Sequence, residues 1–213
     1  MFKFTMSEVR DLIIAFVVIS LCFAIVNAGR DANAILNILP IVMVGVGAGF
    51  ILHELGHKFV SMKYGYWAEF KLWPHGLIFA LITSFFGFVF AAPGAVYTYA
   101  NYMTDEINGK ISVAGPIVNI ALALVFLAIA TLMYPSAFHS ENALLVFIIC
   151  SVGYSINSFL AVFNLLPIGN LDGAKVLRWN VGIWIVTIAI PGIMTYMSMT
   201  YGAEGIIRMI LGL

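Results

Sequence analysis

The chain has 213 residues, of which 62% are apolar and 9% charged, against roughly 45 to 50% and about 25% in an ordinary soluble domain; a water-soluble fold is all but excluded. Ten Lys plus Arg balance ten Asp plus Glu, so there is no basic footprint for nucleic acid and no acidic tail, and partners are to be sought in the lipid bilayer. Cys22 and Cys150 each lie in apolar runs and read as buried thiols, not as a disulfide framework or a Cys-based zinc site.

About 20 helical residues cross a bilayer, and five stretches reach that length: Leu12 to Ala28, Ile38 to Ser61, Ile111 to Tyr134, Ala143 to Leu166 and Val181 to Met199. The expected fold class is therefore an all-α polytopic membrane protein, a single domain over residues 1–213 with a core at about 38–178. Lys3 and Arg10 before the first apolar run, with Val26-Asn27-Ala28 behind it, have the outline of a signal peptide. With more spans following, that run reads as an uncleaved anchor. In the second span, Gly45, Gly47 and Gly49 read as small-residue packing against a neighbouring helix, because no strand precedes them as a dinucleotide fingerprint would require. Pro191 in the last span reads as a kink.

A sixth apolar stretch, Leu77 to Ala92, is bounded by Pro74-His75-Gly76 and Pro93-Gly94 and is ambiguous on length. The positive-inside rule separates two topologies. If the stretch dips in and returns, and the N-terminus is inside, Lys3, Arg10, Lys58, Lys63, Lys71, Lys110, Lys175 and Arg178 are cytoplasmic and only Arg30 and Arg208 lie outside, a split of 8 to 2. If it spans, three of the eight move out and Arg208 moves in, giving 6 to 4. The re-entrant topology is preferred, with a membrane-dipping segment at about 64–108. On either side of the dip the pattern alternates: Tyr66, Ala68, Phe70 and Leu72 form one side of a candidate strand, and Val96, Thr98 and Ala100 one side of another. The competing explanation is an interfacial belt of Tyr66, Trp67, Trp73, Tyr97, Tyr99 and Tyr102.

The second span contains His53-Glu54-Leu55-Gly56-His57, an H-E-x-x-H pattern. Histidines at i and i+4 project from one face of a helix and can share one Zn²⁺, and the intervening Glu can serve as general base towards water. In a membrane helix such groups are functional by default. Counted back from a helix end near Met62, His57 lies roughly 7 Å and His53 roughly 13 Å below the cytoplasmic surface. A catalytic zinc needs a third protein ligand and an open position. His75, His139, Asp105, Glu106 and Glu141 sit in polar or interfacial loops. Asp172 instead follows the fourth span, where Pro167 and Gly169 break the helix and Gly173 permits a tight turn. Such a break folds back into the membrane only if its backbone is buried or lines a wet cavity. Asp172 reaches the histidines' membrane face if two crossings separate them, as the re-entrant topology provides.

His53-Glu54-x-x-His57 together with Asn164-x-x-Pro167-x-x-x-x-Asp172-Gly173 resembles the site-2 protease family of intramembrane zinc metalloproteases, and Gly115-Pro116-Ile117-Val118-Asn119 is similar to that family's G-P-x-x-N pattern. The resemblance covers about residues 38–178. It implies His53, His57 and Asp172 as ligands of one zinc ion and Glu54 as catalytic base. It also implies Asn119 and Asn164 as substrate-binding polar groups, and a β-rich, membrane-dipping segment between the second and third core helices. A lone membrane Asn ordinarily bonds between helices, which is the alternative for both asparagines. The expected activity is endoproteolysis of a transmembrane protein substrate in a multi-pass protein of a prokaryotic cytoplasmic membrane, with its N-terminus and active-site face towards the cytoplasm. A strand edge near Tyr66 to Leu72 or Gly94 to Ala100 offers a place to hold the unwound substrate. Two other readings stay open: a catalytically silent homologue that binds membrane proteins, and a prenyl-protein or heat-shock-type membrane zinc protease, in which Glu204 or Glu141 would be the third ligand. The oligomeric state is not legible.

Overall fold

The computed structural model describes residues 3–90 and 92–213; Ala91, within the expected Leu77 to Ala92 stretch, lies outside the described residues. Among the described residues, five helical stretches are long and apolar enough to cross a membrane: Met6–Ala28, Ala32–Lys63, Asp105–Ala137, Glu141–Asn164 and Val181–Leu211. At 1.5 Å per residue each exceeds a hydrocarbon core of about 30 Å, and the protein is an all-α polytopic membrane protein with one small sheet. Short polar side chains cap these helices. Thr5, Asp31, Thr104, Ser140 and Asn180 each accept from a backbone N–H of the first turn, a contribution of about 1 kcal/mol apiece. Side chains such as Ile13 and Val17, Leu124 and Leu132, and Val186 and Ile193 are exposed on the outer faces, an arrangement suited to lipid and costly in water.

The chain divides into two compact units, Met1–Tyr102 and Met103–Leu213. In the first, helix α1 (Met6–Ala28) packs against α2 (Ala32–Val46), and α2 runs through a π-helical turn (Gly47–Ile51) into α3 (Leu52–Lys63). The glycine run therefore differs from the regular helix expected there: it forms the π turn, and Gly47 lies where an added Cβ would meet the Phe16 ring of α1. Strand β1 (Trp67–Leu72) leads into α4 (Pro74–Ser84) and back to β2 (Gly94–Tyr99).

The two strands pair antiparallel from Trp67↔Tyr99 to Leu72↔Gly94, so the alternating pattern reports strands within a residue or two of the expected bounds. Ala68 and Phe70 are buried on one face, opposite Thr98 and Val96. The register also brings the two ends of the intervening segment together. Leu72 and Gly94 are cross-strand partners and the Trp73 N–H donates to the Pro93 carbonyl at 2.7 Å, so the chain leaves and returns at one place. The intervening helix has 11 residues, about 16 Å, too short to cross. Gly76 is required at the neck of this excursion, because a Cβ there would run into the Ala92 carbonyl oxygen.

In the second unit α5 (Asp105–Ala137) and α6 (Glu141–Asn164) form an antiparallel hairpin, followed by α7 (Asp172–Trp179) and α8 (Val181–Leu211). A core of Ala123, Tyr154, Met194, Ala203 and Ile206 joins α5, α6 and α8, and the Tyr154 hydroxyl donates to the Met194 carbonyl at 3.1 Å. Gly153 admits the Phe126 ring against α6. The non-helical residue of α8 is Gly202, with φ 66° and ψ 170°, a break that the sequence reading, centred on Pro191, did not anticipate.

Candidate metal and catalytic site

The π turn delivers the chain into α3, and the H-E-x-x-H residues occupy its first two turns. His53, Glu54 and His57 are all buried, at 5, 7 and 7% exposure. The two imidazoles meet edge to face, with ring centroids 4.6 Å apart and an interplanar angle of 86°. Their Nε2 atoms converge to 3.0 Å. Two nitrogens on one tetrahedral zinc at 2.0 to 2.1 Å would stand about 3.3 Å apart, so this pair has the convergence that a shared ion needs.

Asp172 opens α7 in the second unit and is also buried. Its position follows from the broken end of α6. After Asn164 the chain makes a series of tight turns, with Ile168 N–H donating to Leu166 O at 2.9 Å and Leu171 N–H to Ile168 O at 3.2 Å. Gly169 adopts φ 57°. Trp184 Nε1 donates to the Leu165 carbonyl at 2.9 Å. The backbone freed by the break is thus bonded within the unit, as a non-helical stretch at membrane depth demands. Gly173 has no room for a side chain, since a Cβ would overlap the Leu165 carbonyl. Lys175 Nζ stands 3.6 Å from the Asp172 carboxylate, one turn along α7.

Asn119 is wholly buried on α5 and its Nδ2 donates to Asn157 Oδ1 on α6 at 3.1 Å. Asn164 is half-buried and its Nδ2 donates to Leu160 O at 2.9 Å. His75, His139, Asp105, Glu106 and Glu141 are exposed. Glu204 is exposed on α8, and its Oε1 accepts from the Tyr134 hydroxyl at 3.1 Å.

Over 198 residues, 92% of this chain and 97% of the relative, the sequence is 43% identical to "Putative zinc metalloprotease MJ0611" of Methanocaldococcus jannaschii. The chain belongs to the site-2 protease family of zinc metalloproteases. Two further family relatives carry the same description: YwhC of Bacillus subtilis, 27% identical over 67% of this chain and 70% of its own length, and Rip2 of Mycobacterium tuberculosis, 28% identical over 67% and 58%. No family model and no solved structure matches the chain. Two imidazoles and a carboxylate are a donor set that zinc takes in hydrolases, and the buried, convergent His53 and His57 fit the metal that this family's name implies.

The sequence reading missed two groups that the structure makes prominent. Lys58 had a place among the cytoplasmic charges but is fully buried, its ammonium paired with the Glu8 carboxylate of α1. A lysine directly after a buried metal-ligand motif is the signal that could have found it. Asn157 is the second; it is also 0% exposed, and an Asn in the middle of a span is a standing request for an interhelical partner.

On the exposed face of the sheet, the Tyr99 hydroxyl donates to Glu69 at 2.9 Å and, with Lys71 at 3.3 Å, holds the Glu69 carboxyl below its ordinary range. The same Tyr99, and then Glu69, raise the Lys71 ammonium.

Proposed function

We propose that the protein is an intramembrane zinc metalloendopeptidase that hydrolyses a peptide bond within or near a transmembrane segment of a membrane-protein substrate. The observation that carries this reading is the H-E-x-x-H helix itself: two convergent, buried imidazoles flanking a buried Glu, all inside a helix apolar enough to span. His53, His57 and Asp172 are the residues that would hold one zinc ion, which when bound polarises the scissile carbonyl and acidifies water.

The chain's own groups do the rest. Glu54 takes a proton from the attacking water as its oxygen bonds to the carbonyl carbon, and delivers that proton to the departing amine nitrogen as the C–N bond breaks. Of the two asparagines, Asn164, half-buried beside the break that leads to Asp172, is the one assigned to meet the substrate. Asn119, bonded to Asn157, serves by holding α5 to α6 near that contact.

A helical substrate must unwind before its amides can be attacked. The outer edge of β1 is occupied by α1, since the Phe70 and Leu72 N–H groups donate to Glu8 and Asp11, which favours β2 as the strand that holds an extended substrate. The charge bias favours an active-site face towards the cytoplasm.

The test is cleavage of a single-span protein by the purified chain in detergent, wild type beside Glu54→Gln, with zinc measured in both. Zinc in both, and cleavage slowed by about 10²- to 10⁴-fold in the variant, is the expected result. Zinc in both without cleavage by either would replace the protease with a silent binder of membrane proteins.

A further inference from the structure

Glu8 sits where three elements of the first unit meet. One of its carboxylate oxygens, Oε2, accepts from Lys58 Nζ on α3, and the other, Oε1, accepts from the Phe70 N–H of β1 at 3.1 Å. Both side chains of the ion pair are 1% exposed. The ammonium is further enclosed by the Phe4 ring, 4.3 Å away, and the Trp67 ring, 5.8 Å away, within the range at which an aromatic face attracts a cation. Thr5-Met6-Ser7-Glu8 has the pattern of a helix capping box, in which the Glu side chain would turn back to the first N–H of its own helix. Here Thr5 caps as expected, while the Glu8 carboxylate is committed to α3 and β1.

Burying two opposite charges adds little net stability over two apolar side chains of the same size. What such a pair fixes is orientation, because a charge without its partner cannot be left in the interior. Lys58 follows His57 directly and lies one turn after Glu54 on the same helical face; Ser61, the next residue on that face, bonds to Thr98 Oγ1 of β2 at 2.8 Å. The face that carries the proposed base is therefore tied at one point to α1 and β1 and at the next to β2. Rotation of α3 about its axis would move both imidazoles and break both ties.

We propose that Glu8 and Lys58 are positioning residues that set the rotation of α3, and with it the convergence of His53 and His57, against the strand pair. This rests on the metalloprotease reading for its consequence in cleavage, but the geometric claim has readouts of its own. The experiment uses the full chain in detergent, with zinc affinity measured by chelator competition, amide exchange followed by mass spectrometry over residues 66–73, and cleavage assayed in parallel.

Glu8→Gln with Lys58→Met removes both charges while leaving a carbonyl for the Phe70 N–H. The expected result is a folded protein with zinc affinity about tenfold weaker, faster exchange in β1, and unchanged exchange in α5 and α6. A folded double variant with wild-type zinc affinity and wild-type β1 exchange overturns the proposal. If the double variant does not fold, Glu8→Gln alone decides: weaker zinc affinity with faster β1 exchange supports the proposal, and wild-type values of both overturn it. A wild type that binds zinc, shows these responses and cleaves nothing would retire the protease reading and leave the positioning role standing.

Discussion

The two units hold polar groups in an apolar setting by different means. In the first, carboxylates of α1 reach across to a lysine and to strand N–H groups. In the second, the buried polar contact between helices is neutral, an Asn–Asn bond, with a half-buried Ser155–Ser198 bond at 2.7 Å, and the carboxylate that joins two helices, Glu204 on Tyr134, is exposed. Removing one partner of a buried charge pair is strongly destabilising, whereas a neutral hydrogen bond between membrane helices contributes about 1 kcal/mol. The H-E-x-x-H helix belongs to the first unit and Asp172 to the second, so the proposed ligands come from units held by different kinds of polar contact.

The close-packed second unit should break first at its glycines. Gly173→Ala sets a methyl against the Leu165 backbone and is expected to cost about 3 kcal/mol; Gly153→Ala meets the near end of the Phe126 ring, where the whole side chain must shift but no backbone does, and should cost about 2 kcal/mol. Denaturation of both variants in detergent checks the order, and equal losses would deny that backbone contact is what fixes the start of α7. Asn157→Ala should remove about 1 kcal/mol, with faster exchange confined to α5 and α6.

The smallest effect is expected on the exposed face of the sheet. Tyr99→Phe removes the main cause of the lowered Glu69 carboxyl, so a carboxylate NMR titration should move up towards the ordinary value. A depressed carboxyl contributes stability above its unfolded pKa and loses it as pH falls through the folded one. The variant should therefore be slightly less stable than wild type at neutral pH, a difference that vanishes as pH falls through the carboxylate range, and it is small because the group is close to solvent.

Much of this was legible in the sequence because the signals are local. Five apolar stretches, two alternating runs and histidines at i and i+4 each report their own element, and the strands fell within a residue or two of Tyr66 to Leu72 and Gly94 to Ala100. The re-entrant dip was an expectation from charge bias, and the pairing of Leu72 with Gly94, a long-range fact, is what brings the two ends of that segment together. What escaped was of the same long-range kind. Nothing near Lys58 says that Glu8, fifty residues earlier, is its partner, and nothing near Asn119 names Asn157. The break at Gly202 escaped because Pro191 carries the more familiar helix-breaking signal, and a glycine inside a helical pattern is ordinarily tolerated.

The π turn at Gly47–Ile51 acts as a phase setting along the second span. A π turn accommodates one residue more than an α turn, and one residue of α-helix is about 100° of rotation. The same residues wound as continuous α-helix would turn α2 by roughly that angle relative to α3, whereas deleting one residue there would let the span wind as α-helix with the two faces still in phase. The turn thus absorbs one extra residue in a glycine-rich stretch while keeping the outer face of α2 in step with the direction in which the histidines point.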